Sequence, residues 1–322
     1  NKSRTMKVSI IIPVYNLENY IAKTIESCLR QTYGNIEVVI VNDGSTDGSE
    51  KEIEKYLADE RIIYVKQENA GVSAARNHGV KISTGDYLTF VDGDDLLKSD
   101  TIEKNIELIK ASEIPIDWLA FPVVRIDENG SPVLITCGRL QDYHYMKVEE
   151  LDAQSVYARY EKGLFPPIVC SMLFRRSFFD RRFVNGRYED TYMFLELLEK
   201  YPVVLLSPYG AYYYVNRESS FINEPFSAEK WVAYTRARIK SIKVGNMLFP
   251  ERVREFRKMS SSMYYNLKWV KFKHRHDDNF SKPLHLLESE IPDIRKGGNM
   301  ALKYYMKCAV SVMGSIRRTR RK

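Results

Sequence analysis

The chain has 322 residues, 44% hydrophobic and 28% charged, an ordinary globular composition that excludes wholesale disorder and leaves room for one large α/β domain with an appendage. Its formal charge of +7 is unevenly placed: beyond Ser227 there are 23 Lys and Arg against 8 Asp and Glu, a net +15, and up to that point 26 against 34, a net −8. The two parts are expected to meet different partners, the acidic front suiting metal and sugar chemistry and the basic back suiting phosphate, anionic lipid or nucleic acid.

Cys28, Cys137, Cys170 and Cys308 are far apart, with no CxxC and no His at zinc spacing, so neither a disulfide framework nor a zinc site is indicated and a reducing cytoplasm is the simpler setting. The opening "NKSRTMKVSIIIPVYN" has too short an apolar run for a secretory leader, and Pro13 interrupts it. Position 1 is not methionine, so flanking sequence is expected. No stretch reaches the roughly 18–20 apolar residues of a membrane span.

From position 8 to 92 strands and helices alternate. "VSIII" is a buried strand; residues 19–31 place Ile21, Ile25, Cys28 and Leu29 on one helical stripe; "IEVVIV" is a second strand. A helix over 47–57, the strand "RIIYVKQ", a helix over 72–82 and the strand "DYLTFV" follow. This alternation implies a parallel sheet built from βαβ units, a Rossmann-like α/β fold with helices on both faces. In such sheets ligands bind beyond the carboxyl ends of the strands. There "PVYN", "NDGSTD", "ENAGVSAARN" and "DGDD" all fall on one rim.

Beyond a helix over 98–110 the pattern becomes mixed. A hairpin is expected around Asn129-Gly130, then a helix over 149–162, the strand "VCSMLF", and a helix in "EDTYMFLELLEKY" whose first turn carries Glu189 and Asp190. After Pro225 the chain reads as helical and basic to its end, without internal repeats.

Three carboxylates crowd into "DGDD". Gly93 permits a tight turn in which Asp92 and Asp94 aim at one point, an arrangement suited to a hard divalent cation that takes its other ligands from water and phosphate. A shared cation would offset the repulsion between the pair, while Asp95 is expected to cap a helix beginning near Leu96. "NDGSTDGSEKEIE" matches the spacing of an EF-hand loop, but that loop requires a preceding helix and "IEVVIV" is strongly β-prone. Asp43 instead reads as a recognition group at a strand end, and Ser45 or Asp47 as the start of the next helix.

These motifs, "VSIIIPVYNLENYIAKTIESCLRQTYGNIEVVIVNDGSTDGS", "ENAGVSAARNHGV", "STGDYLTFVDGDD" and "YEDTYM", together resemble the inverting nucleotide-sugar glycosyltransferases of family two, which have the GT-A fold. The resemblance runs from Val8 to about Arg217. It implies a catalytic domain over 1–225, with a nucleotide-binding half at about 6–98 and an acceptor half at about 99–225, followed by a basic helical region over 226–322.

Carried over by position, the resemblance implies that Pro13, Val14, Tyr15 and Asn16 line a nucleoside pocket and that Glu18 and Asp43 contact the base or ribose side. Asn69, Gly71 and Arg76 would form its far wall; Ser45 and Gly93 also belong to the nucleotide-sugar site. Asp92 would hold ribose or share with Asp94 a Mn²⁺ or Mg²⁺ bridging the diphosphate. Asp190 would be the base that deprotonates the acceptor hydroxyl, Glu189 would orient acceptor or base, and Arg217 would close over the diphosphate. The donor expected is a UDP-sugar, the acceptor a glycan or lipid-linked hydroxyl in bacterial surface-polysaccharide synthesis. Met172, where many relatives carry Lys, marks a departure on the acceptor side.

The segment "MALKYYMKCAVSVMGSIRRTRRK" combines an apolar and aromatic stripe with a basic cluster, the composition of an interfacial anchor as well as of a packing helix. Peripheral attachment to the cytoplasmic membrane is one expectation, and the helical tail also offers a surface for oligomer formation. Lys268, Lys271, Lys273, His274, Arg275 and His276 lie among Trp269 and Phe272, but no nucleic-acid module accompanies them and nucleic acid is not the expected partner. A dehydrogenase is disfavoured because no GxGxxG follows the first strand. A non-catalytic nucleotide-sugar-binding protein or a nucleic-acid-binding protein stands as the alternative.

Overall fold

The structure is a computed structural model and describes residues 5–133, 143–217 and 227–291. The chain divides into two compact units, Asn1–Glu224 and Pro225–Lys322.

In the first unit the expected alternation forms an eight-stranded, mostly parallel sheet. β1 (Val8–Val14), β2 (Ile36–Asn42), β3 (Ile62–Lys66) and β4 (Tyr87–Phe90) are its parallel half, joined through α1 (Ile21–Leu29), α2 (Ser49–Glu54) and α3 (Val72–Ile82). Every residue of β1, β2 and β4 is buried, as apolar runs without alternation require when helices cover both faces. Each Ile or Val so enclosed contributes about 1.5–3 kcal/mol relative to exposure.

β1 is central, paired in parallel with β2 (Val14 opposite Asn42) and with β4 (Ile11 opposite Phe90). β2 continues the order to β3, Asn42 lying opposite Lys66, so these strands end on one rim. α3 packs close to β1 because its inner face is small: a Cβ on Gly79 would meet Ile11 Cγ2 at 2.4 Å.

After β5 (Leu96–Leu97) and α4 (Thr101–Ala111) come β6 (Trp118–Ala120), β7 (Val123–Ile126), β8 (Glu149–Leu151), α5 (Ala153–Glu161), β9 (Met172–Arg175), α6 (Glu189–Leu198), β10 (Val204–Leu206) and β11 (Tyr212–Val215). The large sheet runs β3-β2-β1-β4-β9-β6-β10-β8, and β5-β11-β7 form a second sheet of three strands. β9 is antiparallel to both neighbours, β6 and β4.

Several boundaries differ from expectation. Residues 149–151 form a strand paired with β10, and the helix starts only after Asp152, whose side chain accepts the Ser155 N–H at 2.7 Å. The first half of "VCSMLF" is a 3-10 turn, Val169–Ser171. No helix begins near Leu96, since β5 occupies that place and α4 starts at Thr101. Of the expected hairpin, the turn is present, with Gly130 at φ +85° and Ile126 bridged to Pro132; the rest of its second arm lies outside the described residues.

The second unit contains α7 (Ala228–Leu248), α8 (Val253–Lys273) and α9 (Lys282–Glu290), packed around Ile239, Met263, Leu267, Leu284 and Leu287. Trp269 and Phe272 on α8 are exposed. No helix among the described residues is long and apolar enough to cross a membrane. The expected interfacial segment at 300–322 lies outside the described residues.

Candidate active site

The loops after β1 and β2 are joined directly. Asn16, in the left-handed region at φ 52°, accepts the Thr46 N–H with its side chain at 2.8 Å, and its own N–H donates to Ser45 Oγ at 3.1 Å. Glu18 Oε2 accepts the Gly48 N–H at 2.7 Å, while Asp47 accepts the N–H groups of Glu18 and Ser49. Pro13 and Val14 are buried at the end of β1; Tyr15 beyond them is 48% exposed and free to face a planar ligand.

Asp43, just past β2, is 2% exposed. One oxygen accepts Gln67 Nε2 at 2.7 Å and the Ala70 N–H at 3.0 Å; the other accepts the Gly71 N–H at 2.8 Å. The carboxylate thus pins the loop after β3, and with it the start of α3, against the end of β2. Gly71 at φ +90° and Gly44 at φ +74° allow this, and a Cβ on Gly44 would come within 2.9 Å of the Asn69 nitrogen.

The acidic turn follows β4. Its backbone closes through the Asp95 N–H to Asp92 O at 3.0 Å, and α1 holds it by the Thr24 hydroxyl donating to Gly93 O at 3.0 Å. The turn packs tightly at Gly93, where a Cβ would lie 2.7 Å from Leu17 Cδ1 and 3.1 Å from Pro13 O. Asp92 and Asp94 keep 36% and 19% of their side-chain surface exposed. Asp95 turns inward and caps no helix, contrary to the sequence expectation: its carboxylate accepts the Tyr212 hydroxyl and the Val215 N–H. Burial, reinforced by the Asp92 charge, pushes its pKa up to about 8 despite those hydrogen bonds.

Arg76 is the centre of the site. One turn into α3, with its side chain 3% exposed, it donates from Nη2 to Asp92 at 2.7 Å and from Nη1 to Asp190 at 2.7 Å and Glu189 at 3.2 Å. Burial opposes its charge, but Asp190, Asp92 and Glu189 outweigh burial and hold its pKa well above the usual value. Its Nε–H is buried without a hydrogen-bond partner.

α3 also brings the distant acidic pair to the rim. Asn77 makes two hydrogen bonds to the backbone of Phe183, both 2.8 Å, and Ser73 donates to Val184 O at 2.9 Å. Tyr188, at φ 63°, then turns the chain into α6, whose first turn carries Glu189 and Asp190, where carboxylates are favoured by the helix dipole. Burial pushes the Asp190 pKa up to about 7 against the pull of Arg76, with repulsion from Glu189 and Asp92 adding to the rise. The Val169 N–H donates to its other oxygen at 3.3 Å.

Arg217 pairs with Asp94, and its guanidinium lies over the Tyr20 ring at 4.6 Å. The four carboxylates Asp92, Asp94, Glu189 and Asp190 therefore share two guanidiniums, a formal −2. Among the described residues no group of three or more His, Cys, Asp or Glu converges as a metal cage. Asp92 and Asp94, two hard carboxylates on one tight turn, are the donor type that a Mg²⁺ or Mn²⁺ ion would take. Cys170 is buried nearby with its thiol pKa pushed far up by burial, so it is not a nucleophile.

The structure thus brings Arg76, Asp92, Glu189 and Asp190 into one ion-pair cluster, with Asp94 and Arg217 paired on the adjoining turn and Tyr15, Asn16, Ser45 and Asn69 on the loops along the same rim. Tyr212 and Asn77 were missed by sequence reasoning. The Tyr-rich run "AYYYV" marks a strand but not which hydroxyl faces the acidic turn, and Asn77 shows only as part of "AARN".

The sequence model described as glycosyl transferase family 2 matches residues 9–183, more than half of the chain. GlyA of Streptococcus pneumoniae, a glycosyltransferase, is 52% identical over 98 residues, 30% of this chain and 14% of that protein. An uncharacterized glycosyltransferase of Haemophilus influenzae is 30% identical over 217 residues, 67% of this chain and 78% of that protein. The minor teichoic acid biosynthesis protein GgaB of Bacillus subtilis is 40% identical over 126 residues, 38% of this chain and 14% of its own length; the chain thus spans a small part of GlyA and GgaB. Among solved structures, Staphylococcus aureus TarS 1–349 in complex with UDP-GlcNAc superposes with a TM-score of 0.59 at 18% identity, over 92% of this chain and 93% of that one. With the sheet order and the rim of acidic and loop residues, these similarities establish the GT-A fold, and the chain belongs to glycosyl transferase family 2.

Proposed function

We propose that this protein is a metal-dependent inverting glycosyltransferase that moves a hexosyl group from a UDP-sugar to a hydroxyl of a surface-glycan acceptor. The observation that carries this reading is the buried guanidinium of Arg76 spanning Asp92 on the donor-side turn and Asp190 on the acceptor-side helix. It sets a candidate base opposite a candidate diphosphate site. UDP-GlcNAc in TarS supports the donor class, and the teichoic acid role of GgaB supports a glycan product.

In this mechanism Tyr15, Asn16 and Asn69 frame the nucleoside on loops that Asp43 pins together, and Asp92 and Asp94 would hold Mn²⁺ or Mg²⁺. Bound there, the cation supplies charge stabilisation to the departing diphosphate. Arg217 lies beside Asp94 and adds a fixed positive charge for the same oxygens. The acceptor oxygen attacks the anomeric carbon, the bond from that carbon to the phosphate oxygen breaks with its electron pair, and the acceptor proton passes to Asp190. A carboxyl whose pKa is pushed up to about 7 is a stronger proton acceptor than an ordinary surface aspartate and is about half ionised in neutral solution. Direct displacement inverts the anomeric centre.

The basic second unit would bring the enzyme to an anionic membrane surface carrying lipid-linked acceptors. Exposed Trp269 and Phe272 beside Lys268, Lys271, Lys273 and Arg275 support that placement. Calorimetric titration of UDP with Mn²⁺ and then with EDTA tests the donor site, followed by a screen of UDP-sugars for UDP release. Metal-dependent binding, and a product of opposite anomeric configuration by NMR, are expected. Failure to bind any nucleoside diphosphate overturns the reading.

A further inference from the structure

Tyr212 and Asp95 are both buried, at 1% and 3% exposure, so neither reaches a ligand at the site. They nevertheless touch each element that forms its diphosphate end. The Tyr212 hydroxyl donates to one oxygen of Asp95 and accepts the Asp92 N–H at 3.4 Å. The other Asp95 oxygen accepts the Val215 N–H at 2.7 Å. One carboxylate therefore grips β11 at its first and last residues and is itself part of the acidic turn.

Two residues beyond Val215 the chain delivers Arg217 to Asp94. The strand's phase along the turn decides where that guanidinium lands, and a strand displaced by one residue presents its opposite face. An apolar residue at 95 would fill the same interior without desolvating a carboxyl group, which is costly unless its hydrogen bonds are made. Here both oxygens are satisfied by β11, and such a fully partnered buried group specifies one arrangement.

We propose that Tyr212 and Asp95 are positioning residues for the nucleoside diphosphate and its metal: their hydrogen bond keys the second sheet to the acidic turn and so sets Asp92, Asp94 and Arg217 at working distance. The proposal rests on the reading of the acidic cluster as a nucleotide-sugar site. A merely structural pair would lower stability and weaken all binding alike. A positioning pair acts more on the metal-dependent part, because two of the three groups it aims, Asp92 and Asp94, are those that would hold the metal.

The test is calorimetric titration of UDP, GDP, CDP and dTDP, each with Mn²⁺ and with EDTA, into wild type, Tyr212→Phe, Asp95→Asn and the double variant, with melting temperatures alongside. Both single substitutions preserve shape, and Asp95→Asn keeps an acceptor for Val215, so it serves if Tyr212→Phe melts early. Tyr212→Phe is expected to weaken Mn²⁺-dependent binding about tenfold, the loss of one buried hydrogen bond, and metal-free binding by clearly less, through Arg217 alone. The double variant should be little worse than either single one, the signature of residues acting as a unit. Wild-type affinity in both single variants overturns the inference, as does equal weakening with and without metal that tracks melting temperature. A wild type that binds none of the four nucleotides removes the proposed function and this inference with it.

Discussion

Arg76 Nη1 and Asp190 Oδ1 lie 2.7 Å apart, and Nη2 of the same guanidinium lies 2.7 Å from Asp92. One buried cation thus joins the acidic turn to the helix that carries the proposed base. Replacing it with methionine would leave Asp92, Glu189 and Asp190 facing one another without a counter-charge. Arg76→Met is expected to lower unfolding free energy by about 3–5 kcal/mol, measured by denaturant titration, and to move the alkaline rise of activity to higher pH. Arg76→Lys should recover little, since an ammonium cannot span both sides as a planar fork does.

Asp190 must be ionised to accept a proton. With its pKa pushed up to about 7 by burial, log kcat/KM for sugar transfer should rise with unit slope below that pH and level off above it. Asp190→Asn should reduce kcat by about 10²–10⁴ and leave UDP affinity nearly unchanged. Stability follows the opposite direction. Because the folded-state pKa exceeds the unfolded value of about 3.9, the stabilisation present below the unfolded value is lost as pH rises through about 7. The melting temperature of wild type should therefore fall relative to Asp190→Asn over that window, as scanning calorimetry at a series of pH values will show.

Arg217 and a divalent cation would compete for Asp94. Without nucleotide, Arg217→Ala is expected to bind Mn²⁺ about fivefold more tightly, the scale of a partly exposed ion pair, as read by electron paramagnetic resonance. With UDP present the same variant should hold the ternary complex less well, because a cation facing the diphosphate is gone. Asp94→Asn should lose Mn²⁺ binding in both conditions.

Gly93→Ala places a Cβ 2.7 Å from Leu17 Cδ1 and 3.1 Å from Pro13 O. Pro13 O is backbone and cannot swing aside, so the turn itself must shift. We expect a loss of about 1–3 kcal/mol in stability together with weaker Mn²⁺-dependent UDP binding. Unaltered binding would mean that the turn does not aim the two carboxylates.

Much of the first unit was legible from local pattern. The bounds of α3 coincide with its apolar and small-residue stripe, and the all-apolar runs of β1 and β2 announce strands buried on both faces. The rim position of Asn16, Asp43, Asp92 and Asp94 follows from strand ends alone. Residues 149–151 were misread because a three-residue strand carries almost no period of its own; pairing with β10 makes it a strand. Asp95 was misassigned for a related reason. An aspartate before two leucines looks like a helix cap until a tyrosine 117 positions away supplies its hydroxyl.

What the sequence by itself determined is what near neighbours in the chain decide: the alternation of strands and helices, the glycine turn that seats two carboxylates, the charge division near Ser227, and the ordered motifs that carry the family resemblance. The tertiary structure alone decided which charges meet. Arg76 and Asp190 are 114 positions apart, and they meet because the small inner face of α3 lets it lie against β1 while Asn77 holds the backbone of Phe183 on its way to α6. Hydrophobic periodicity reports which face of an element is buried, but a hydrogen bond or ion pair needs partners within about 3 Å in a defined direction, and only the packed chain supplies that.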